Sequence, residues 1–341
     1  MTRLQSRLRD ESGQVLVLVA AAMVGFIAMT AFVVDVGSWF HQQRATQATV
    51  DAAALAGAQK LPDKDAATAM AVSYGAKNGA GGTITASNVA VTTTYGPNFD
   101  TIKVTKAQQS NDFFGKVFGF SFVTVHAHAT ALVGAPSEAM YVAPIVVNIL
   151  HDDITGKACG QQLPAGTTNT DGSTSNPCFG SQYPTTIDLG KNGAPGAFDL
   201  LNLDCGDATL TSSCTNTHGT TGASTMADWI QDGFSKYLPL GGYYSDPGAK
   251  YNGNEIDNAL NAREGTELLF PVYDTLVQQG SNATYHIVGW IGFHLTSGQL
   301  QGNSGTLSGY FTRVIWKGIT PAGGPSPAPS SLGVGVITLV D

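Results

Sequence analysis

Charge is what this sequence has least of. Asp, Glu, Lys and Arg make up 12% of its 341 residues, against ~25% in an average soluble protein. Gly, Ser, Thr, Asn and Gln must therefore supply the polar surface, as they often do in exported bacterial proteins. Cations are the scarcer sign, with 17 Lys and Arg against 25 Asp and Glu, for a formal charge of −8. An acidic chain without clustered Lys or Arg is badly suited to phosphate backbones, so nucleic acid is not expected as a partner. Catalytic signatures are also missing. The chain has no Gly-x-Ser-x-Gly elbow, no His-Glu-x-x-His pair and no glycine-rich phosphate loop between a strand and a helix. His218, His286 and His294 belong to no recognisable set with Ser or Cys, so no catalytic residue and no cofactor is assigned, and any small-molecule substrate is unknown. A triad assembled from distant positions stays open, because triads are spatial.

Cysteine is scarce but even in number: Cys159, Cys178, Cys205 and Cys214. No Cys-x-x-Cys pair exists, which removes a zinc ribbon and a thioredoxin motif. Four cysteines in an exported chain point to disulfides, and local pairing of Cys159 with Cys178 and of Cys205 with Cys214 is the simplest of three connectivities.

One apolar run stands against this polar background. Residues 15–34 (VLVLVAAAMVGFIAMTAFVV) carry no charge and a single polar side chain, Thr30. As a helix they span about 30 Å, the thickness of a bilayer core. Arg3, Arg7 and Arg9 outweigh Asp10 and Glu11 before the run and leave −9 after it, so the N-terminus is expected inside and the bulk exported across the cytoplasmic membrane in a single pass. Arg9 and Asp35 mark the two membrane boundaries, and Asp35 is read as a structural carboxylate at the interface. A cleaved secretory signal would have a shorter core of roughly 7–15 residues, and this run flows on without a break signal. Prepilin-type cleavage after Gly13 would call for Glu five residues later, where the chain has Leu18.

Past the membrane, Ala45, Ala48, Ala52, Leu55 and Ala56 recur at helical spacing and could form a small-residue seam for another helix. The same residues could instead lie on the protein's own sheet. Leu61-Pro62 ends the rod, Asp63 or Asp65 can cap a second helix through Tyr74, and residues 78–82 are glycine-rich. Val89 and Val91 alternate toward a turn at Gly96-Pro97-Asn98, and Ile102 and Val104 resume the pattern, which predicts a hairpin. A short helical piece over 112–118 precedes a strand with Val123, Val125, Ala127, Ala129 and Ala131 on one face and His126 and His128 on the other.

Three stretches in this region act together: Glu11 to Val17 (ESGQVLV), Val33 to Gly37 (VVDVG) and Gln47 to Ala58 (QATVDAAALAGA). They resemble the N-terminal motif of TadG-like and TadE-like Flp pilus assembly proteins, closely over about the first sixty residues. The resemblance implies a membrane-anchored accessory or minor-pilin role in the tight-adherence secretion system, with pilins or other assembly proteins as partners.

Residues 134–137 (GAPS) mark a boundary. Beyond it, residues 141–150 (YVAPIVVNIL) read as a buried strand leading to His151-Asp152-Asp153, a weak candidate cation loop. Asp171-Gly172-Ser173-Thr174-Ser175 has the DxSxS spelling of a metal-adhesion site but lacks the hydrophobic strand before it. Residues 198–203 read as a short strand, 225–237 as an amphipathic helix capped by Ser224 or Thr225, and 254–263 as another helix. Residues 268–277, with Pro271 at an edge or bulge, 285–295 and 307–316 are the main strands. Residues 321–329 are a Pro-rich spacer, and 334–340 could add a last strand. The expected fold is α+β: a long N-terminal transmembrane helix packed on a small antiparallel sheet, then a second, mostly antiparallel α+β domain. The expected division is 1–60, 61–135, 136–320 and 321–341. An exported hydrolase-like enzyme, or an envelope ligand- or glycan-binding protein, is the alternative to pilus assembly.

Overall fold

The computed structural model describes residues 12–79, 82–94, 99–111, 113–119, 122–136, 138–167, 175–190, 199–205, 221–246, 254–277, 283–301, 304–316 and 332–340. Its first part contains α1 (Ser12–Ala58), α2 (Lys64–Lys77), β1 (Val89–Thr92), β2 (Thr101–Asn111) and β3 (Phe122–Gly134). Next come β4 (Glu138–Ala139), β5 (Val147–Asn148), α3 (Asp152–Thr155), β6 (Thr185–Leu189), α4 (Ala223–Gln231), β7 (Leu238–Pro239) and β8 (Gly241–Tyr244). The chain continues through α5 (Asn254–Arg263), β9 (Glu267–Val277), β10 (Thr284–Gln301), β11 (Ser304–Thr312), β12 (Val314–Ile315) and β13 (Val334–Leu339).

α1 is one unbroken helix of 47 residues, about 70 Å long. It contains no proline, and Asp35-Val36-Gly37 does not interrupt it. Its apolar half is exposed nearly all round, as Leu16, Phe26, Ile27, Met29 and Phe32 show, and within residues 15–34 only Ala31, one turn before Asp35, is buried. This is the one described helix long and apolar enough to cross a membrane. After Leu61-Pro62, Asp63 caps α2 by accepting from the backbone N–H of Asp65 and Ala66 at 3.1 and 2.9 Å.

The first sheet has the order β1-β2-β3-β13-β12. Val91 faces Ile102 in the β1–β2 pair, and β2 and β3 run antiparallel over their whole length, from Thr101 opposite Leu132 to Asn111 opposite Phe122. One face is covered by α1 and α2. Val50, Ala53, Ala54 and Ala58 of α1 and Ala67 and Ala71 of α2 meet Val91, Ile102, Val104, Ala127, Ala129 and Ala131 of the sheet. Gly57 lies where α1 approaches most closely: an added Cβ would collide with the Ile102 Cδ1 methyl and stand 3.0 Å from the Ala67 carbonyl.

The second sheet follows the order β5-β9-β10-β11-β6, with β8 joined to the start of β10. It is antiparallel except where β5 runs parallel to β9. One face packs on α4 and α5 through Met226, Ile230, Ile256 and Leu260 against Phe270, Ile291, Phe293 and Phe311. The other face holds Tyr243, Tyr273, Tyr285 and Trp290 beneath Val142, Val146, Leu201 and Phe234. The whole is the expected α+β mixture of a long apolar helix and mostly antiparallel sheets.

Several local readings change. Residues 141–150 are buried as far as Val147, but only Val147–Asn148 forms a strand. Pro144 has no N–H to give, and Tyr141 takes a positive φ of 58°. α4 stops at Gln231, short of Tyr237, because Gly233 adopts φ 77° against the Tyr141 backbone. Its N-cap is Gly222, without a side-chain bond. Pro271 is in an inner strand, one residue from the Val272–Tyr273 register shift against β10, and the neighbour on its other side, β5, is only two residues long. The strand expected over 307–316 breaks at Arg313, after which β12 joins the first sheet. Arg9, the Gly96-Pro97-Asn98 turn, Asp171 to Thr174, Cys214, His218 and residues 321–329 lie outside the described residues.

Candidate functional site

Chemistry concentrates where α1 emerges from its apolar half and meets the β2–β3 hairpin. Asp35 follows directly on residue 34, the last of the apolar run, and is 4% exposed. Its carboxylate receives the start of a 3-10 turn over Gly115–Phe118 at the hairpin tip. Oδ1 accepts from the Phe113 N–H at 2.8 Å, and Oδ2 accepts from the Gly115 N–H at 2.7 Å. The Phe114 N–H lies between the two oxygens at 3.2 and 3.1 Å. Three backbone donors converging on one carboxylate are an anion-capping arrangement, strong because the acceptor is charged.

Farther along α1, Gln43 and Gln47 continue the attachment. Each donates through Nε2 to a carbonyl of β3, His126 and His128 respectively, at 2.8 Å. β13 pairs with β3 only from Ala131 to Gly134, which leaves the earlier part of this β3 edge open. The two amides, with the Val340 N–H on the Thr130 carbonyl at 3.0 Å, satisfy successive acceptors there and protect the edge. The spacing is commensurate: four helix residues rise about 6 Å, and two strand residues advance about 6.6 Å. Gln47 also donates to Asp51 at 2.8 Å, so Asp51 is not simply a solvated side chain. Sequence reasoning singled out Asp35 and missed both glutamines. The signal available was the spacing of Asp35, Gln43, Gln47 and Asp51 at multiples of four residues along one helix.

The flank of α1 beside these glutamines is open. Among the described residues Gly37, Phe40, His41 and Arg44 line a shallow groove of about 380 Å³. Of the seam candidates, Ala48 is exposed, Ala45, Ala52 and Leu55 are half-buried, and Ala56 is buried. The sheet contact uses a different set, Val50, Ala53, Ala54 and Ala58. Most of the seam therefore faces away from the protein's own sheet.

Residues 13–60 match the Tad family model, described as Flp pilus-assembly TadE/G-like. The match covers the Tad-like segment alone: the apolar run, Asp35, Gln43, Gln47 and the seam. No curated protein and no solved structure matches the chain.

Outside the Tad-like segment the polar clusters are structural in form. Cys159 and Cys178 are disulfide-bonded and close the loop behind α3, whereas the pairing of Cys205 with Cys214 falls outside the described residues. His151 caps α3 by accepting from the Asp153 N–H at 3.2 Å, and Asp153 accepts from the Thr185 hydroxyl at 2.6 Å. His286 pairs with Asp274 at 2.8 Å, while His294 pairs with Glu267 at 3.2 Å and stacks on Tyr310. His126 and His128 are exposed on β3. No group of three metal-ligating side chains occurs among the described residues. Burial, with the nearby Asp199 carboxylate adding, pushes the Tyr285 hydroxyl far above its ordinary range.

Proposed function

We propose that this protein is a membrane-anchored component of Flp pilus assembly that acts through protein contacts, as an accessory or minor-pilin-like subunit on the outer side of the cytoplasmic membrane. The Tad match over residues 13–60 is the observation that carries the reading. Support also comes from the build of α1, whose apolar half continues without a break into a helix fastened to a sheet by Asp35, Gln43 and Gln47. Such a joint gives the exported layers a fixed attitude to the bilayer. The arginines before the span favour an inside N-terminus. Leu18, in place of the Glu that prepilin processing uses, favours a stationary tether over a polymerising subunit. A mature chain starting at Gln14 would refute the tether.

The test is genetic and then chemical. Deleting the gene in its source cell is expected to remove Flp pili, with recovery on complementation. A photo-crosslinking residue at exposed Ala48 is expected to capture a pilin or a tight-adherence platform protein. Ala52→Leu in the same crosslinker-bearing chain should weaken that capture while leaving the sheet contact intact. Normal piliation in the deletion strain would overturn the proposal.

A further inference from the structure

We propose that the tip of the β2–β3 hairpin is a membrane-contacting element, which seats Phe113, Phe114 and Phe122 in the headgroup and upper acyl region of the same bilayer that α1 crosses. The inference rests on α1 being a membrane span, the reading given above.

The height of the tip is fixed in two independent ways. Asp35 holds the backbone of Phe113, Phe114 and Gly115 directly, and it is the first residue after the apolar run. The second constraint is the ladder on β3. From His126 back to Phe122 the strand covers about 13 Å, equal to the rise of about nine helix residues. Counting back from Gln43, which holds the His126 carbonyl, this brings Phe122 level with residue 34. Both strands of the hairpin thus reach the end of the hydrocarbon span, where Ala31, one turn before Asp35 on the same helix face, is also buried.

The chemistry at that height is aromatic. Phe113, Phe114 and Phe122 are 66%, 44% and 48% exposed, although water is the wrong surrounding for three phenyl rings at one end of a hairpin. The zone between hydrocarbon and bulk water is about 5–7 Å deep on each side of a bilayer, and aromatic rings collect there. Lys116, exposed in the same turn, suits the anionic phosphates of the headgroups. The α1 helix adds Phe40, 65% exposed, about 7 Å above Asp35. Asp35 then has a second consequence: it satisfies three backbone donors that would otherwise enter a poorly hydrated zone unpaired. Contact at the tip would resist rocking of the exported layers about a single helix.

The test uses the full chain reconstituted in phosphatidylcholine vesicles, with and without lipid brominated near the top of the acyl chain. Phe113→Trp and, on the other strand, Phe122→Trp each add one indole to the four present. Difference emission against the parent chain isolates it. The added indole is expected to emit to the blue and to lose about half its intensity in brominated vesicles, as a ring buried ~5–10 Å into the interface would. Carbonate extraction of the same vesicles checks the anchor separately. If the protein stays in the pellet while the added indole emits like one in water, the tip proposal is refuted and the anchor stands. Blue emission without quenching would mean that a second protein surface covers the rings, which also refutes it. Release into the carbonate supernatant would overturn the anchor and the tip together.

Discussion

Replacing Gly57 by alanine sets two opposite effects against each other at the contact between α1 and α2. In an isolated helix the change stabilises by about 0.5–1 kcal/mol, because glycine loses more backbone freedom on folding. Here the new methyl would overlap Ile102 Cδ1 and lie 3.0 Å from the Ala67 carbonyl oxygen and 3.1 Å from Ala71 Cβ. The carbonyl belongs to the backbone of α2, and Ile102 is 0% exposed, so neither neighbour has free space to withdraw into. Overpacking of that kind costs about 1–3 kcal/mol, which leaves a net loss of up to about 2.5 kcal/mol after the propensity gain. The same substitution at Gly37 gives an internal control: its added Cβ meets nothing within 4 Å, so only the propensity gain remains. Amide exchange of α2 and β2 in the detergent-solubilised full chain reads the effect locally and avoids assuming that a protein of two sheets unfolds in one step. Faster exchange in Gly57→Ala, with unchanged or slower exchange in Gly37→Ala, is expected. If both substitutions shift exchange in the same direction, the close-approach argument is wrong.

Asp35→Asn keeps one oxygen acceptor but loses the charge and the second oxygen, so the Phe113, Phe114 and Gly115 amides should exchange faster while those of β9 and β10 do not change; uniform exchange across the chain would contradict the capping role. Replacing Cys159 and Cys178 together by serine opens a loop with a sequence separation of 19 and should cost about 3 kcal/mol by the chain-entropy relation, measured as a lower denaturant midpoint that reductant reproduces in the parent chain. Tyr285 and Tyr273 are both raised by burial. The neutral phenols therefore contribute stability that is fully present below the unfolded value near ~10 and lost as pH climbs above it. Ultraviolet titration of the 11 tyrosines should show at least one, Tyr285, that ionises only as the fold gives way at alkaline pH; ionisation of all eleven in the folded protein would refute this.

The parts of the fold that could be read from sequence are those set by local periodicity. An apolar run without a helix breaker announces α1, and the alternation of Val89 and Val91 with Ile102 and Val104 announces the first hairpin, whose register pairs Val91 with Ile102. α5 spans the expected residues, Asn254–Arg263. What failed depended on contacts distant in sequence. The apolar stretch at 141–150 looks like a strand by composition, yet its backbone is bridged singly to Phe234 and Leu200, far along the chain. α4 looks longer than it is because only its fit against Tyr141 makes a left-handed Gly233 necessary. At the candidate site, Asp35 drew notice as a carboxylate beside an apolar run, but its partners lie 78 to 80 residues away. Gln43 and Gln47 look like ordinary solvated residues until β3 is seen to have an open edge.

The return of β13 to the first sheet decides how the two layers are joined. Val336 to Leu339 pair with β3 from Gly134 back to Ala131, so the strand extends the row of satisfied carbonyls that Gln47 and Gln43 complete. At its other end, Val334 is 1% exposed in the core beneath Tyr285 and Trp290 of the second sheet. β12 joins at the same point, with Val314 opposite Val334, directly after β11 leaves the second sheet. A single strand therefore has one end in each core. The chain beyond residue 135 is consequently not a bead on a flexible leash. The second sheet is tied to β3, β3 is tied to α1 by two glutamines, and α1 is tied to the hairpin tip by Asp35. A sideways force on the second sheet has a continuous path of strand pairing and hydrogen bonds into the apolar helix, as a tether in an assembly machine would need. An enzyme merely held near a membrane has no need of such a path, and on this ground the assembly reading is preferred to the hydrolase alternative.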